Sequence, residues 1–473
     1  MIFQIGNEIG DGSGYPHTIA AAFSVGELDV QSRGLLQALC FLCPDHIPEV
    51  LLFSNIEQEQ SHTVFSALEY YISLGNLCKA GLVSQSRGYL TVNRLVQAIA
   101  LGEMTREAQF ATFRGVLAHL SNLHPRGTDG KLIWDDWAAC ENYHSHVLFL
   151  CKRYQELFRG EDCLELASVI AAATWYMFER GKFSGIEPLL KLAKHVSPDM
   201  PGLTQASVLF NLAGVHFECN RIEKALRLCN RALDLRHGHL DAWDPVLADT
   251  LTSIGIVYME DGQLETAMGC HQRAIEIHER AWRADTHDGS PAAMAHMNQA
   301  MCYIRAKSYA HASTLAETAA MLFEVTSGVK SQKYGQSMYV IGQIREAQNR
   351  PIEALHAFKI SLDVCRSATP DHFKLGLGIH KMAVLSSQHG DYAAAMQYLE
   401  EALPILQASY DPMPRVARTL FKMSEVLEAM GRADDDAEKR SKAITMKRLI
   451  RTFDVDPANT PEAFDALVPW FLR

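Results

Sequence analysis

The chain has 473 residues, of which 48% are hydrophobic and 21% charged, a composition that folds and excludes a disordered chain. Its length exceeds one core and suits two to four ordinary domains or a single repeat array. A formal net charge of −11 gives no global attraction to nucleic acid or to an anionic membrane surface.

The opening residues, MIFQIGNEIGDGSGYPHT, have no basic start followed by an apolar run, so no secretory signal is expected. The longest nearly uncharged run, the thirteen residues between Glu165 and Glu179, falls short of the ~20 that a spanning helix needs. Eleven cysteines are too sparse for a disulfide scaffold and suit buried free thiols in a reducing compartment. The expected location is cytoplasmic, with no membrane span.

In chain order, TIAAAFSVGELD (18–29) and LLQALCFLCPDHIPEVLL (35–52) predict a helical bundle broken at its prolines. A helix is expected around Val64–Ala80. The stretch GLVSQSRGYLTVNRLVQ (81–97) predicts a short β-wing that turns near Gln85–Gly88 and runs into another helix. Residues 1–125 carry six Lys and Arg against eleven Asp and Glu. Phosphate neutralisation dominates DNA affinity, so DNA binding is not expected of this domain.

This order resembles the winged-helix segment that follows the nucleotide-binding core in fungal NB-ARC/tetratricopeptide signalling proteins. The matching phrases are Leu35–Leu52, Val92–Gln97 and the closing AFDALVPWFLR (463–473). Two departures limit what the resemblance implies. No GxxxxGK[ST] loop occurs, since the glycine-rich 6–14 lacks the lysine that reaches phosphate. The family's histidine before the arginine is Asn93 here. Nucleotide switching is therefore not carried over, and no cofactor is expected.

From about residue 160 a pattern repeats. Ile254, Gly255 and Tyr258 are followed by Gly262, Ala267 and Ala274. Related copies are anchored at Thr174, Ala213, Gly255, Ala300, Gly342, Ala383 and Ser424, spaced 39, 42, 45, 42, 41 and 41 residues apart. Small residues at the anchor, and twelve and nineteen positions on, let two antiparallel helices approach closely. Glycine or asparagine between them, as at Asn220, Gly262, Asn349 and Gly390, takes the turn. The pattern resembles the tetratricopeptide repeat in the long-period form of kinesin light chains. The expected fold is mostly α: a winged-helix-like domain (1–125), a connecting half-repeat (126–160, with a helix in Trp134–Phe158), about seven hairpins forming a superhelical solenoid (161–450) and a tail (451–473).

The resemblance also implies which positions face the concave groove. The fifth is Ala171, Phe210, Thr252, Met297, Tyr339, His380 and Phe421, and the ninth is Trp175, Gly214, Ile256, Met301, Gln343, Val384 and Glu425. The twelfth adds Phe178, Phe217, Met259 and Ile304, and the second adds Met294. No repeat pairs lysine with asparagine in the manner of carboxylate-clamp repeats. The surface is instead apolar, which invites a covering partner. The alternative is that these residues pack on the second helix row or under the N-terminal domain.

The expected function is binding in this groove of a lipophilic small molecule or an amphipathic helical segment. An enzyme of the cyclase, pericyclase or dehydratase type, enclosing its substrate with His216 or His380 as acid or base, is the competing expectation. Self-association of stacked superhelices is a third. Polar residues near the surface are Asp249, Glu260, His296 and Arg305. No metal site is expected: Cys40 and Cys43 form a solitary CFLC, and His144 and His146 point to different sides of a helix.

Overall fold

The computed structural model describes residues 27–53, 66–125, 136–284, 289–370, 372–450 and 456–470. The glycine-rich stretch 6–14, most of the first expected helix, Trp134 and residues 471–473 lie outside the described residues. Contacts divide the chain into two units. One comprises 1–126, 133–173 and 192–200, and the other 127–132, 174–191 and 201–473.

The first unit begins with α1 (Val30–Leu39), whose N-cap Asp29 accepts a hydrogen bond from the Ser32 amide at 2.9 Å. Strand β1 (Ile47–Pro48) follows. Helix α2 (Ala67–Lys79) starts on a capping box formed by Ser66 and Glu69. Strands β2 (Val83–Ser86) and β3 (Tyr89–Val92) then form an antiparallel hairpin, with β1 on the other edge of β3. Their two-residue turn, Arg87–Gly88, has φ of 51° and 80°, as the twist of a tight hairpin requires.

Helices α3 (Arg94–Gly102), α4 (Arg106–Leu123) and α5 (Trp137–Leu157) complete this unit's larger elements. Phe41, Phe113 and Phe158 are fully buried at its centre, with ring centroids 5.8 Å (Phe41–Phe113) and 5.0 Å (Phe113–Phe158) apart. Asn93, at the departure from the NB-ARC pattern, N-caps α3 by accepting from the Leu95 amide at 2.8 Å. Gln97 is buried and donates to the carbonyls of Leu39 (2.7 Å) and Leu42 (3.0 Å). Both carbonyls lie where α1 ends; that of Leu39 also accepts from the Leu42 amide at 3.2 Å.

Helices α6 (Leu164–Glu179) and α7 (Ile186–Val196) form a hairpin that has residues in both units. Six further hairpins follow in the second unit. They are α8/α9 (Gly202–Glu218, Ile222–His237), α10/α11 (Pro245–Glu260, Leu264–Arg283), α12/α13 (Ser290–Arg305, Tyr309–Ser327), α14/α15 (Gln332–Ala347, Pro351–Ala368), α16/α17 (Phe373–Gln388, Tyr392–Gln407) and α18/α19 (Met413–Ala429, Ala433–Leu449). A short helix, α20 (Pro461–Asp465), lies near the end of the chain.

The backbone repeats with the sequence. The seven turns place Gly181, Asn220, Gly262, Lys307, Asn349, Gly390 and Gly431 at φ between 56° and 86°, each seven residues after its anchor. The small residues of the pattern form the seams: Ala213, Ala225, Ala232, Ala300, Ala312, Ala319, Ala383, Ala395 and Ala402 are fully buried. A Cβ at Gly342 would lie 2.7 Å from the Phe358 ring, so glycine and phenylalanine fit as a pair across that hairpin. The fold is a mostly α solenoid of tetratricopeptide type. Among the described residues no helix is long and apolar enough to cross a membrane.

Candidate functional site

In the second unit, the first helices of neighbouring hairpins touch one another, α10 with α12, α12 with α14 and α16 with α18. The apolar residues expected on their inner face fall into separate groups. Trp175 stacks on Phe178 (5.3 Å, 22°) and on Phe210 (5.6 Å, 29°). Phe178 fills the space that a Cβ on Gly214 would need, 2.9 Å away, and packs on Phe183, which in turn meets Phe373 at 5.7 Å.

Met259, Met297 and Met301 belong to a second group and are buried with Ile304 and Phe323; Met294, Ile256 and Trp470 pack against them. Phe217 lies in an adjoining cluster with Ile254 and Ala274, which Ile256 also touches. Tyr339 meets Phe358 edge-on at 5.2 Å, and burial pushes its phenol above the usual range. Phe421 stacks on Phe464 at 4.1 Å with 12° between the rings.

The histidines expected as acid or base have different surroundings. His380 is 1% exposed, with Nδ1 3.2 Å from Thr419 Oγ1. Burial first, then the cations Arg418, Lys422 and Lys381, hold its pKa well below 6.5, so it is neutral and shielded from solutes in this arrangement. His216 is half-buried. Burial and the neighbouring Arg221 lower its pKa, while Glu187 opposes the shift. Among the described residues no hydrogen bond joins the two.

The other polar candidates are engaged locally. His278 lies 3.4 Å from Asp249, and His296 lies 3.7 Å from Glu279. Among the described residues no group of three potential metal ligands occurs. The Cys43 amide donates to His146 Nδ1 at 3.2 Å, and burial pushes the Cys40 thiol up to about 12. This leaves the thiol protonated and poor as a ligand or nucleophile.

Residues 456–470 contact several of the hairpins. Phe464 presents its ring to Phe421, and Arg418 Nε donates to Asp465 Oδ1 at 2.6 Å. Asn220 Nδ2, in the turn between α8 and α9, donates to the Ala466 carbonyl at 3.0 Å. At the far end the Trp470 amide donates to Glu260 Oε2 at 3.0 Å, while the Arg305 guanidinium lies 5.3 Å from the Trp470 ring centre. Lys447 sits 4.9 Å from the Phe464 ring centre and donates to the Ala458 carbonyl. Phe464 and Val468 are each 1% exposed and Leu467 5%.

Sequence reasoning missed Arg418 and this segment. Arg418 occupies the second position of the last repeat, three residues before Phe421, so the template could have placed it. Its partner Asp465 is 47 residues further on, and no local pattern announces that pairing.

Residues 204–280 match the tetratricopeptide repeat family, and residues 23–109 match a domain of unknown function (DUF7779). No curated protein matches the chain. Among solved structures the chain is similar to a signal transduction ATPase with numerous domains (STAND) with a tetratricopeptide repeat sensor from Pyrococcus horikoshii. That likeness has 14% identity and a TM-score of 0.54, over 96% of this chain and 65% of that one. The chain is also similar to a Rap protein complexed with competence and sporulation factor (10% identity, TM-score 0.47, 67% of this chain, 97% of that one). The quorum sensor NprR from B. thuringiensis is a third (12% identity, TM-score 0.41, 66% and 97%). The class these findings define is a protein built on tetratricopeptide repeats.

Proposed function

We propose that the chain is a peptide- or protein-binding module whose inner helices hold a segment of a partner polypeptide, gripped mainly by apolar and aromatic side chains. The observation that carries this reading is that these helices already hold a polypeptide segment, residues 456–470, by ring stacking on Phe421 and an ion pair to Arg418. Trp175, Phe178 and Phe210 supply a second stacked aromatic surface. Methionines at 294, 297 and 301 supply an adaptable one. The fold shared with the sensor-bearing STAND protein supports a sensor role. The phrases at Leu35–Leu52 and Val92–Gln97, with the β2–β3 hairpin between them, support a winged-helix-like unit of the kind that follows the ATPase core in fungal NB-ARC proteins.

Panning displayed 15-residue peptides against the purified chain and against its Phe464→Ala variant, with native mass spectrometry alongside, tests this function. Selected peptides that bind and are lost on Arg418→Glu are the expected result. Recovery of no peptide, together with a small apolar molecule accompanying the chain, overturns it.

A further inference from the structure

Residues 456–470 carry Asp456, Glu462 and Asp465 and no lysine or arginine. The side chains they meet include Arg418, Arg305 and Lys447. Acid on one side and base on the other give the contact a polarity and a register. Asp465 pairs with Arg418 while the adjacent Phe464 stacks on Phe421, and Trp470, five residues beyond Asp465, reaches Glu260 and Arg305.

The segment is held in the manner of a bound peptide more than as a structural element. Its regular structure is the five residues of α20. Residues 456–462 are exposed. Burial is confined to a few side chains, chiefly Phe464, Leu467 and Val468. Its backbone carbonyls at Ala458 and Ala466 accept from Lys447 and Asn220, and its Trp470 amide donates to Glu260. A few anchored side chains must offset the entropy of ordering the whole segment, so the contact is reversible by a competitor that makes the same contacts.

Building on the peptide-binding reading above, we propose that residues 460–470 are a tethered copy of the ligand. The inner helices recognise an acidic peptide that carries an aromatic–aspartate pair and a second aromatic five residues after the aspartate, and the chain occupies that site in cis until such a partner displaces it. Phe421 and Arg418 read the pair, and Arg305 with Glu260 reads the distal aromatic. A tethered ligand acts at about millimolar effective concentration. It therefore weakens apparent binding of a micromolar competitor by roughly 10- to 1,000-fold.

The probe is a fluorescent synthetic peptide with the sequence of residues 456–470, titrated into the full chain and into variants that keep their thermal melting. Phe464→Ala and Asp465→Ala release the tether, and both are expected to bind the probe at least ~10-fold more tightly than the unaltered chain. Adding Arg418→Glu to either is expected to abolish binding. The exchanged pair Arg418→Asp with Asp465→Arg restores the tether: probed with the peptide that carries the same Asp465→Arg exchange, it is expected to bind weakly, and adding Phe464→Ala to it is expected to tighten that binding at least ~10-fold, which separates release from misfolding. Equal affinity for the unaltered and released chains overturns cis occupancy while leaving the peptide-binding function standing. Failure of every released variant to bind the probe overturns the tethered-ligand proposal, and the peptide-panning result then decides the broader function separately.

Discussion

The imidazole of His271 lies where a side chain on Gly255 would begin: a Cβ built on that glycine would come within 2.5 Å of the ring. Gly255 is the anchor of the α10/α11 hairpin, and His271 is fully buried on the second helix. The two residues fix how closely these helices pack. Gly255→Ala forces the ring or the helix to move, an overpacking cost of about 1–3 kcal/mol. Coupling His271→Ala to it should recover part of that loss, because the two sites share one space. Urea midpoints of the single and double variants check this, and strictly additive losses would show that the contact does not set the packing.

Burial also sets the charge of His271. Its pKa falls from 6.5 to about 3, and among the described residues neither ring nitrogen has a hydrogen-bond partner. His372 is likewise depressed to about 3 by burial and then by Lys374 and Arg180, and His146 to about 4 by burial. In each case the unfolded chain binds the proton first. Stability is therefore full above about pH 6.5 and falls as the pH drops toward these folded values, by up to ~1.4 kcal/mol per pH unit for each histidine. Melting temperatures measured from pH 7 to 4.5 should decline accordingly, and His271→Leu should make the decline shallower. An unchanged slope in that variant would remove His271 from the account.

Lys307 holds the turn of the α12/α13 hairpin at φ 59°, a conformation that Gly181, Gly262, Gly390 and Gly431 adopt in theirs. A lysine Cβ is strained there and its side chain is exposed. Lys307→Gly should stabilise this hairpin by about 0.5–1 kcal/mol, less whatever entropy the unfolded chain regains. Because repeat arrays transmit stability mainly to neighbouring hairpins, amide exchange along α12 and α13 is the sensitive measurement. Faster exchange in the variant would contradict the strain assigned to Lys307.

The regular part of this molecule could be read from its sequence, and the reason is physical. A hairpin that buries alanine or glycine at fixed offsets writes its period into composition, so Gly255, Ala267 and Ala274 announce their own seam. Lys307 escaped the rule because its turn was imposed by the hairpins on either side rather than by residue type. The methionines 297 and 301 were assigned to the inner face by position alone; their burial beside Phe323 and Trp470 depends on neighbours that periodicity cannot specify. The pairing of Arg418 with Asp465 and of Glu260 with Trp470, 210 residues apart, belongs to the same class. Contacts between a repeat and a non-repeating segment leave no period to read.

Gln97 offers a test in the first unit, where polar satisfaction rather than close packing is at stake. Its side-chain amide donates to two carbonyls at the end of α1, and its own carbonyl lies 3.3 Å from the Cys40 thiol. Gln97→Met keeps the length and removes both bonds; the Leu39 carbonyl keeps the Leu42 amide at 3.2 Å, whereas the Leu42 carbonyl loses its donor at a cost of about 1–3 kcal/mol. Asn93→Ala, four residues earlier, removes only an N-cap, worth about 1 kcal/mol, and Asn93→Asp should be close to neutral because it keeps the accepting oxygen. Thermal melts of the three variants should rank in that order. Amide exchange should speed up in Phe41–Cys43 for Gln97→Met and in α3 for Asn93→Ala. If Gln97→Met melts with the parent chain, the Leu42 carbonyl finds another donor, and Gln97 is not what joins α1 to α3.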